Sequence, residues 1–349
     1  MPPSSLSSSQ PPPPAKVHWV RSNGFLLGLL GAVGRAFFFP APGARGGWLH
    51  PELVNNFGVS LILFLQGLSL ALERIKRGAG NWRLHLVIQS FTFAVFPLAG
   101  FALDGVVPHF WPGEPAGIRY GFLYLCVLPS TVSTSVVLTS VARGNTAGAL
   151  FNAALSNILG VMATPLLVHL LMRTSGQGAP FGPLLLKILL LTLLPFAVGM
   201  GLRNYVVTWV EAHKAWVNRI CNGVIVFIVY SAFCDSVQER IWDTYGMALV
   251  GRLLVLVVAL FTAILLLVYG VSRLLRLERG DAIAAYFCSV KKTLAMGVPL
   301  AVLIFGRRDD LPLILLPIML YHPFQLLVNG VLANRWAQAQ ASGAAGKAH

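Results

Sequence analysis

Two polar runs interrupt otherwise apolar stretches of the chain, and they carry the residues best suited to bind a solute. The first, residues 128–135 with the sequence LPSTVSTS, holds one proline and five hydroxyl side chains. The second, residues 289–293 with the sequence SVKKT, holds two adjacent lysines. Both runs predict a binding site inside an apolar part of the protein.

The first run is expected to break a helix. Pro129 lacks a backbone donor and clashes with the preceding turn, and the hydroxyls can bond the freed carbonyls or cap a helix that restarts after them. A half-helix that restarts in the interior points unpaired amides and a positive dipole end inward, which suits an anionic group. The alternative is a proline kink satisfied by neighbouring Ser and Thr, as is frequent in membrane helices. On this run alone the two interpretations are equally favoured.

The second run strengthens the binding-site interpretation. Each lysine at the centre of a membrane helix costs about 2.5–3.5 kcal/mol on the insertion scale, and residues that carry this cost as a rule face a cavity or a partner. Neighbours in a regular helix point about 100° apart. Lys291 and Lys292 can therefore serve one site only if the helix unwinds there.

The composition places both runs in a membrane. Of the 349 residues, 56% are hydrophobic and 11% are Asp, Glu, Lys or Arg, whereas a soluble domain has about 25% charged residues. The net charge is +14, and the basic residues that produce it come in ones, twos and threes between apolar stretches. They do not form the contiguous basic stripe that nucleic acid requires. We therefore expect a lipid bilayer, and no nucleic acid, as the surroundings of this chain.

Ten apolar stretches of roughly 20 residues predict an all-α polytopic membrane protein. Short links rich in Gly, Pro and charge join them, and none is long enough for a separate soluble domain. The predicted spans are 23–40, 52–72, 84–107, 118–142, 146–172, 183–203, 216–234, 246–272, 281–306 and 311–333.

The spans form two similar halves. Spans one to five and six to ten start about 160 to 165 residues apart, and an odd number of spans per half inverts the second half, as in many secondary transporters. The predicted repeats cover 23–173 and 183–335, between a disordered Ser/Pro-rich tail at 1–22 and a short tail at 336–349. Ten short-looped helices of similar length would give comparable spacing by default. The match of the two polar runs at this offset is the better pointer to a midplane site.

The basic residues predict the orientation. With the N-terminus in the cytoplasm, one side collects about fifteen Lys and Arg and the other about seven, which favours both termini inside. Four basic residues remain at membrane depth. Arg35 and Lys187 lie near span ends and are expected to snorkel to the interface, which leaves Lys291 and Lys292 as the functional charges.

Further polar residues extend the candidate site. Asn145, Asn152 and Ser156 share one helical face, and amides that only stitch helices together explain them equally well. Thr92 and the run 322–325 are weaker candidates. The candidate substrate- or ion-binding residues are Thr131, Ser133, Thr134, Ser135, Asn152, Ser156, Asn157, Ser289, Lys291, Lys292, Thr293 and Gln89.

Motifs of enzymes are missing from the sequence. It contains no H-E-x-x-H, no G-x-S-x-G and no Walker A motif. Its four cysteines lie far apart with no C-x-x-C pair, which indicates neither a disulfide framework nor a zinc site. We expect neither an enzyme nor a cofactor.

In and around the two polar runs, the sequence resembles the bile acid:sodium symporter superfamily, in particular its SBF-like branch. The similarity runs from about Trp19 to Trp336 and is closer to the bacterial members, which implies a bacterial inner (plasma) membrane. The blocks that carry it are WRLHL at 82–86, GFLYLCVLP at 121–129, ARGN at 142–145, YSAFC at 230–234, FCSVKKTLA at 287–295 and YHP at 321–323.

The resemblance implies a ten-helix fold of two inverted five-helix repeats. Helices one, two, six and seven would form a panel domain, and the other six a core domain in which the broken fourth and ninth helices cross. Transported organic anions would bind in the cleft between core and panel, beside the crossing, by alternating access.

The resemblance also implies a sodium site, from which this sequence departs. In sodium-coupled members the ligands come from a Ser-Asn pair after the fourth-helix break, hydroxyls of the fifth helix, and a Glu and a Gln around the ninth-helix break. In this sequence, the position of the Ser-Asn pair is held by Thr134-Ser135 or by Ser135-Val136. Residues 286–293, around the ninth-helix break, contain neither Glu nor Gln. The remaining candidate sodium ligands are Thr134, Ser135 and Asn152.

This departure puts sodium coupling in question. We hypothesise that a lysine ammonium occupies the electronegative space where half-helix carbonyls would otherwise hold sodium. Transport would then be uncoupled or coupled to protons, because a buried lysine can titrate.

The sequence therefore predicts a secondary-active transporter of an organic anion or similar small solute. The alternative, which the eukaryotic members of the branch suggest, is a membrane regulator of calcium homeostasis that moves no solute itself. Short loops and the lack of an extended docking tail argue against the regulator.

Overall fold

The protein is all-helical wherever its structure is described, as the composition predicts. Every regular element in the computed structural model is a helix. The described residues are 19–69, 80–173, 181–305 apart from positions 239, 241, 244, 245 and 247, and 308–345.

The helices follow the apolar stretches of the sequence, and each of the ten predicted spans overlaps a helix or a pair of consecutive helices. The third span is a single rod in which a π-helical turn, Phe91–Val95, joins two α-helices. The helices are α1 (Trp19–Phe38), α2 (Pro51–Ser69), α3 (Trp82–Ser90), α4 (Phe96–Phe110), α5 (Ala116–Val127), α6 (Val132–Val141), α7 (Thr146–Arg173), α8 (Phe181–Ala212), α9 (Lys214–Gln238), α10 (Ala248–Leu274), α11 (Arg279–Ser289), α12 (Leu294–Phe305) and α13 (Leu311–Ala345).

Several of these helices are able to cross a membrane. Among the described residues, seven helical stretches are long and apolar enough, and the bent pair α5 and α6 raises the number to eight. α1 and α2 are not among them. The predicted count of ten crossings therefore stays a prediction.

Helices extend into both predicted tails in the part that is described. α1 begins at Trp19, inside the predicted tail of 1–22, whose first eighteen residues lie outside the described part. α13 continues to Ala345, so that most of the predicted tail 336–349 is helical. The sequence there is rich in Ala and Gln, which are good helix formers. The Lys187 side chain also lies outside the described residues.

Four helices pack against one another as one group. α2 contacts α8 and α9, and α1 contacts α9. The α2–α8 contact is close because glycines stand in it. A Cβ on Gly67 would collide with the Phe196 carbonyl, and a Cβ on Gly199 with the Phe64 carbonyl. Small residues at such an interface let two helix backbones approach directly.

The remaining helices form a second group around the two polar runs. α5 packs against α4 and α13, α6 against α7, α11 and α13, and α10 against α11 and α13. α12 lies at the edge of this group, where it contacts α2 and α9 of the first group. The polar runs are therefore held inside one packed unit, next to the boundary with the other.

Candidate functional site

Both polar runs interrupt their helices, as the sequence predicts. α5 ends at Val127 and α6 begins at Val132, with a bend of 60° between them. α11 ends at Ser289 and α12 begins at Leu294. We call residues 128–131 the first break and residues 290–293 the second break.

The two breaks lie against each other and pair their backbones. The Thr293 amide donates to the Pro129 carbonyl at 3.1 Å, and the Thr131 hydroxyl donates to the Lys292 carbonyl at 3.2 Å. Backbone outside a helix is tolerated at membrane depth only where the protein satisfies its polar groups. Each break therefore supports the other.

Hydroxyls from the first polar run cap the end of α11. Ser130 Oγ donates to the Cys288 carbonyl at 2.7 Å, and Ser135 Oγ donates to the Phe287 carbonyl at 3.1 Å. Carbonyls in the last turn of a helix have no partner within that helix. Ser130, which is fully buried, was not among the predicted site residues.

Lys292 caps the end of α5 in return. Its Nζ lies 2.9 Å from the Cys126 carbonyl oxygen and 2.7 Å from that of Leu128. A third bond of 3.3 Å goes to the Thr92 carbonyl, and the Phe96 ring centroid is 3.9 Å away. A cation is favoured at the carbonyl end of a helix and over an aromatic face. The three donors of the fully buried ammonium are thus all used.

Helix α7 supplies donors for two further carbonyls at the first break. Thr164 Oγ1 donates to the Val127 carbonyl at 2.9 Å, and Asn157 Nδ2 donates to the Ser130 carbonyl at 2.9 Å. With the bonds from Lys292 and Thr293, every carbonyl from residue 126 to 130 has a donor. These five carbonyls are therefore all satisfied by donors from outside the unwound segment.

Helix α13 supports the second break. Gln325 accepts from the Lys292 amide at 2.9 Å and donates to the Lys292 carbonyl at 2.8 Å. The Tyr321 hydroxyl donates to the Val290 carbonyl at 2.7 Å. Both side chains are fully buried. Gln325 belongs to the run 322–325 that the sequence offers as a weaker candidate. Tyr321 is not among the predicted site residues, because a single Tyr in an apolar span is compatible with many roles.

Lys291 differs from its neighbour. Both lysines are 0% exposed, yet the Lys291 Nζ has no hydrogen-bond partner in the described part of the chain. Two hydroxyls of the candidate set, Ser289 Oγ and Thr134 Oγ1, are likewise buried without a partner. Ser133 is exposed and takes no part in the contacts between the breaks.

The amides predicted on the fifth span bond to the third. Gln89 Nε2 donates to the Asn152 Oδ1 at 3.2 Å, and Ser156 Oγ donates to the Gln89 Oε1 at 3.0 Å. Asn152 Nδ2 lies 2.9 Å from the His85 Nδ1. These contacts join α3 to α7, and they favour helix stitching over solute or ion ligation.

The carbonyls at the end of α5 are already occupied by a cation, the Lys292 ammonium. Of the candidate sodium ligands, Ser135 donates to Phe287, Asn152 bonds to Gln89, and Thr134 Oγ1 has no partner among the described residues. Within the described ranges, no group of three or more His, Cys, Asp or Glu could hold a metal ion. Sodium would have to compete with a covalently attached cation.

An ionic cluster joins the last turn of α9 to two connecting segments at one end of the molecule. The Arg45 amide donates to the Asp235 Oδ1 at 2.8 Å, and its guanidinium donates to the Asp309 Oδ1 at 2.8 Å. A further bond of 3.1 Å goes to the Arg308 carbonyl. The cluster thus connects the α1–α2 link and the end of α9, which belong to the first group, to the segment before α13 in the second group.

Comparison with known proteins gives a consistent assignment. A model of the SBF-like CPA transporter family matches residues 23–338. An uncharacterized protein of Pseudomonas aeruginosa is 38% identical over 322 residues, which is 92% of this chain and 95% of the relative. A candidate symporter of Escherichia coli (strain K12), YfeH, is 35% identical over 333 residues, 93% and 97% of the two chains. The rat sodium/bile acid cotransporter 7 is 32% identical over 315 residues, 90% and 92% of the two chains.

Proposed function

The chain belongs to the SBF-like CPA transporter family, and from this premise we propose that it moves a small organic anion across the membrane by alternating access, without sodium. The family description and the two relatives that carry functional names describe transport and not enzymatic catalysis. Together with its apolar helices, they make the chain an integral, multi-pass membrane protein.

An anionic solute is favoured by the charges at the two breaks. Two buried lysines stand there, and α6 and α12 both begin there, so that their positive dipole ends point toward the same region. Thr131 at the start of α6 makes no side-chain cap. The name of the rat relative refers to a bile acid, which is an organic anion.

The observation that carries the sodium-free mechanism is the Lys292 ammonium on three backbone carbonyls. Carbonyl oxygens at a half-helix end are the groups that coordinate the coupling cation in many secondary transporters. A cation fixed to the chain cannot leave with the solute. Transport is therefore uncoupled, or coupled to a proton carried elsewhere.

Alternating access is supported by the two packed groups of helices. In an inverted repeat of five plus five spans, the contact between α2 and α8 has its counterpart in the contact between α1 and α9, and both contacts exist. The four helices correspond to the panel and the others to the core. With both termini in the cytoplasm of a bacterial inner membrane, the Arg45 cluster closes the non-cytoplasmic end.

Uptake into proteoliposomes tests the proposal. Purified protein is given labelled taurocholate or benzoate, with sodium or with choline at equal ionic strength, against liposomes without protein. We expect protein-dependent uptake at equal rates in both salts. A severalfold stimulation by sodium would refute the sodium-free mechanism, and no uptake of either anion would shift the balance to the calcium-regulator alternative.

A further inference from the structure

The two adjacent lysines have opposite surroundings although both are completely buried. Lys292 uses its three donors on backbone carbonyls, whereas the Nζ of Lys291 has no hydrogen-bond partner among the described residues. Removing an ammonium from water is costly, and only a well-placed partner recovers the cost. Lys292 has its partners within the chain, whereas Lys291 finds none in the part of the chain that the structure describes.

The chain offers Lys291 no counter-charge in its described part. The carboxylates there that form ion pairs do so with arginines: Asp104 and Glu114 with Arg119, Asp235 and Asp309 with Arg45, Glu211 with Arg203, and Asp310 with Arg308. Asp281 bonds instead to Asn81 and Asn145. A buried ammonium without an internal counter-ion is suited to an anion that comes from outside.

Further polar atoms without partners lie on the helices around Lys291. Thr134 Oγ1 on α6, Ser289 Oγ on α11 and both side-chain polar atoms of Asn329 on α13 are buried and unpaired. α6 contacts α11 and α13, and Tyr286 of α11 packs against Trp336 of α13. Three mutually contacting helices thus each present an unused donor or acceptor. A lone unpaired atom is a packing compromise, but several such atoms on helices that contact one another are the kind of polar groups that a solute site uses.

Lys291 also lies near the boundary between the two groups of helices. The next residue, Lys292, bonds through its backbone to Gln325, and Gln325 Nε2 lies 3.0 Å from the His322 Nδ1. The His322 ring makes an edge contact with Phe25 of α1, with centroids 6.4 Å apart. Movement of α1 away from α13 would open a route from the boundary toward the ammonium. A solute would then reach Lys291 only when the two groups separate.

We propose that Lys291 binds the anionic group of the transported solute, a carboxylate or a similarly compact oxyanion, while Lys292 is a structural cation that never contacts the solute. This inference rests on the proposed transport of an anion and names the residue that recognises it. A solute carboxylate would supply the counter-charge that Lys291 lacks and acceptors for its three N–H groups.

Substitution of each lysine by Met, which is apolar and of similar length, distinguishes the two roles. Lys291→Met removes an unpaired buried charge, so that the melting temperature of the ligand-free protein stays equal to that of the wild type or rises. Lys292→Met leaves backbone carbonyls without donors, so that the melting temperature falls. A Lys291→Met protein that is clearly less stable than the wild type would overturn the inference.

Ligand binding is measured by thermal stabilisation of the full chain with benzoate and cholate, each compared with its neutral amide. A ligand that binds only the folded state raises the melting temperature. We expect the anions, and not the amides, to stabilise the wild type. Lys291→Met should weaken anion affinity roughly thirtyfold or more, the loss typical when one partner of a buried charge pair is removed, and Lys291→Arg should restore part of it.

Taurocholate uptake separates failure of this inference from failure of the proposed function. If the wild type and Lys291→Met take up taurocholate with the same KM, Lys291 does not bind the anion, and transport of an anion still stands. If the wild type neither binds the two anions nor takes up taurocholate, the proposed function fails and this inference fails with it.

Discussion

The Lys292 ammonium of the second break donates to the carbonyl of Leu128 in the first break at 2.7 Å. The relationship is reciprocal, because Ser130 of the first break donates to the carbonyl of Cys288 at the end of α11. Each interrupted helix is therefore capped by a side chain from the other half of the sequence. We therefore expect the loss of either break to disturb the geometry of the other.

Removal of Lys292 should create a sodium response that the wild type does not have. Lys292→Ala vacates the space at the carbonyls of Thr92, Cys126 and Leu128, so that a sodium ion can take the place of the ammonium. With 0.1 M sodium and a dissociation constant on the order of 10 mM, sodium would stabilise the variant by about 1.4 kcal/mol relative to choline. The measurement is thermal unfolding in the two salts.

Lys292→Met serves as the matched control, since its side chain fills the space that Lys292→Ala leaves open. We expect no response to sodium in Lys292→Met or in the wild type. If all three proteins respond alike, sodium binds elsewhere and Lys292 does not replace it.

Two serines three positions apart should differ in their effect on stability. Ser130→Ala removes a buried bond to the Cys288 carbonyl and leaves that oxygen unpaired, at a cost of about 1–3 kcal/mol. Ser133 is exposed, so Ser133→Ala should change stability by no more than about 0.5 kcal/mol. Thermal unfolding of both variants in one detergent tests the difference, and equal losses would contradict the capping role of Ser130.

The existence of the breaks could be predicted, but their partners could not. Pro129 and the two lysines are costly in a membrane helix, and that cost is visible in the sequence. Which groups bond to these residues, and so offset the cost of burying them, depends on how two segments about 160 residues apart in the chain meet in space. The different surroundings of Lys291 and Lys292 were equally hidden, because adjacent residues of one type carry the same sequence signal.

For the fold, the positions of the helices could be predicted from the sequence, but one helix end and the Arg45 cluster could not. The helices follow from runs of apolar residues, and the structure has a helix at every predicted span. The end of α13 was misplaced because the criterion was hydrophobicity, and Ala and Gln residues continue a helix without being strongly apolar. The Arg45 cluster depends on two loops and one helix end, whose charges have no periodic pattern.

The ionic cluster should hold the end of the molecule around Arg45 closed. Asp309→Asn removes one of its charges, and because Asp309 is 77% exposed the loss should be at most about 1 kcal/mol. Cys234, which is buried beside this cluster against Phe39, provides a native reporter. We expect its labelling by a maleimide to rise up to about fivefold, the population change that 1 kcal/mol allows.

The control for this experiment is Asp104→Asn, which removes a carboxylate paired with Arg119 in another part of the structure. Cys234 labelling should not respond to it. Raised salt should imitate Asp309→Asn, because exposed ion pairs are screened. Unchanged labelling of Cys234 in Asp309→Asn would show that the cluster does not govern opening.

A substitution of Asn152 tests whether this side chain joins two helices or binds the solute, the two explanations that its sequence context leaves equal. Its side chain bonds to Gln89 of α3 and to the Gly148 carbonyl of its own helix, so that Asn152→Leu should lower stability by about 1 kcal/mol, as buried hydrogen bonds between membrane helices do. The KM for taurocholate should not change, because these contacts lie between α3 and α7 and leave Lys291 intact. Thermal unfolding and uptake kinetics of the same preparation give both quantities. A raised KM with unaltered stability would reverse the assignment and return Asn152 to the binding site.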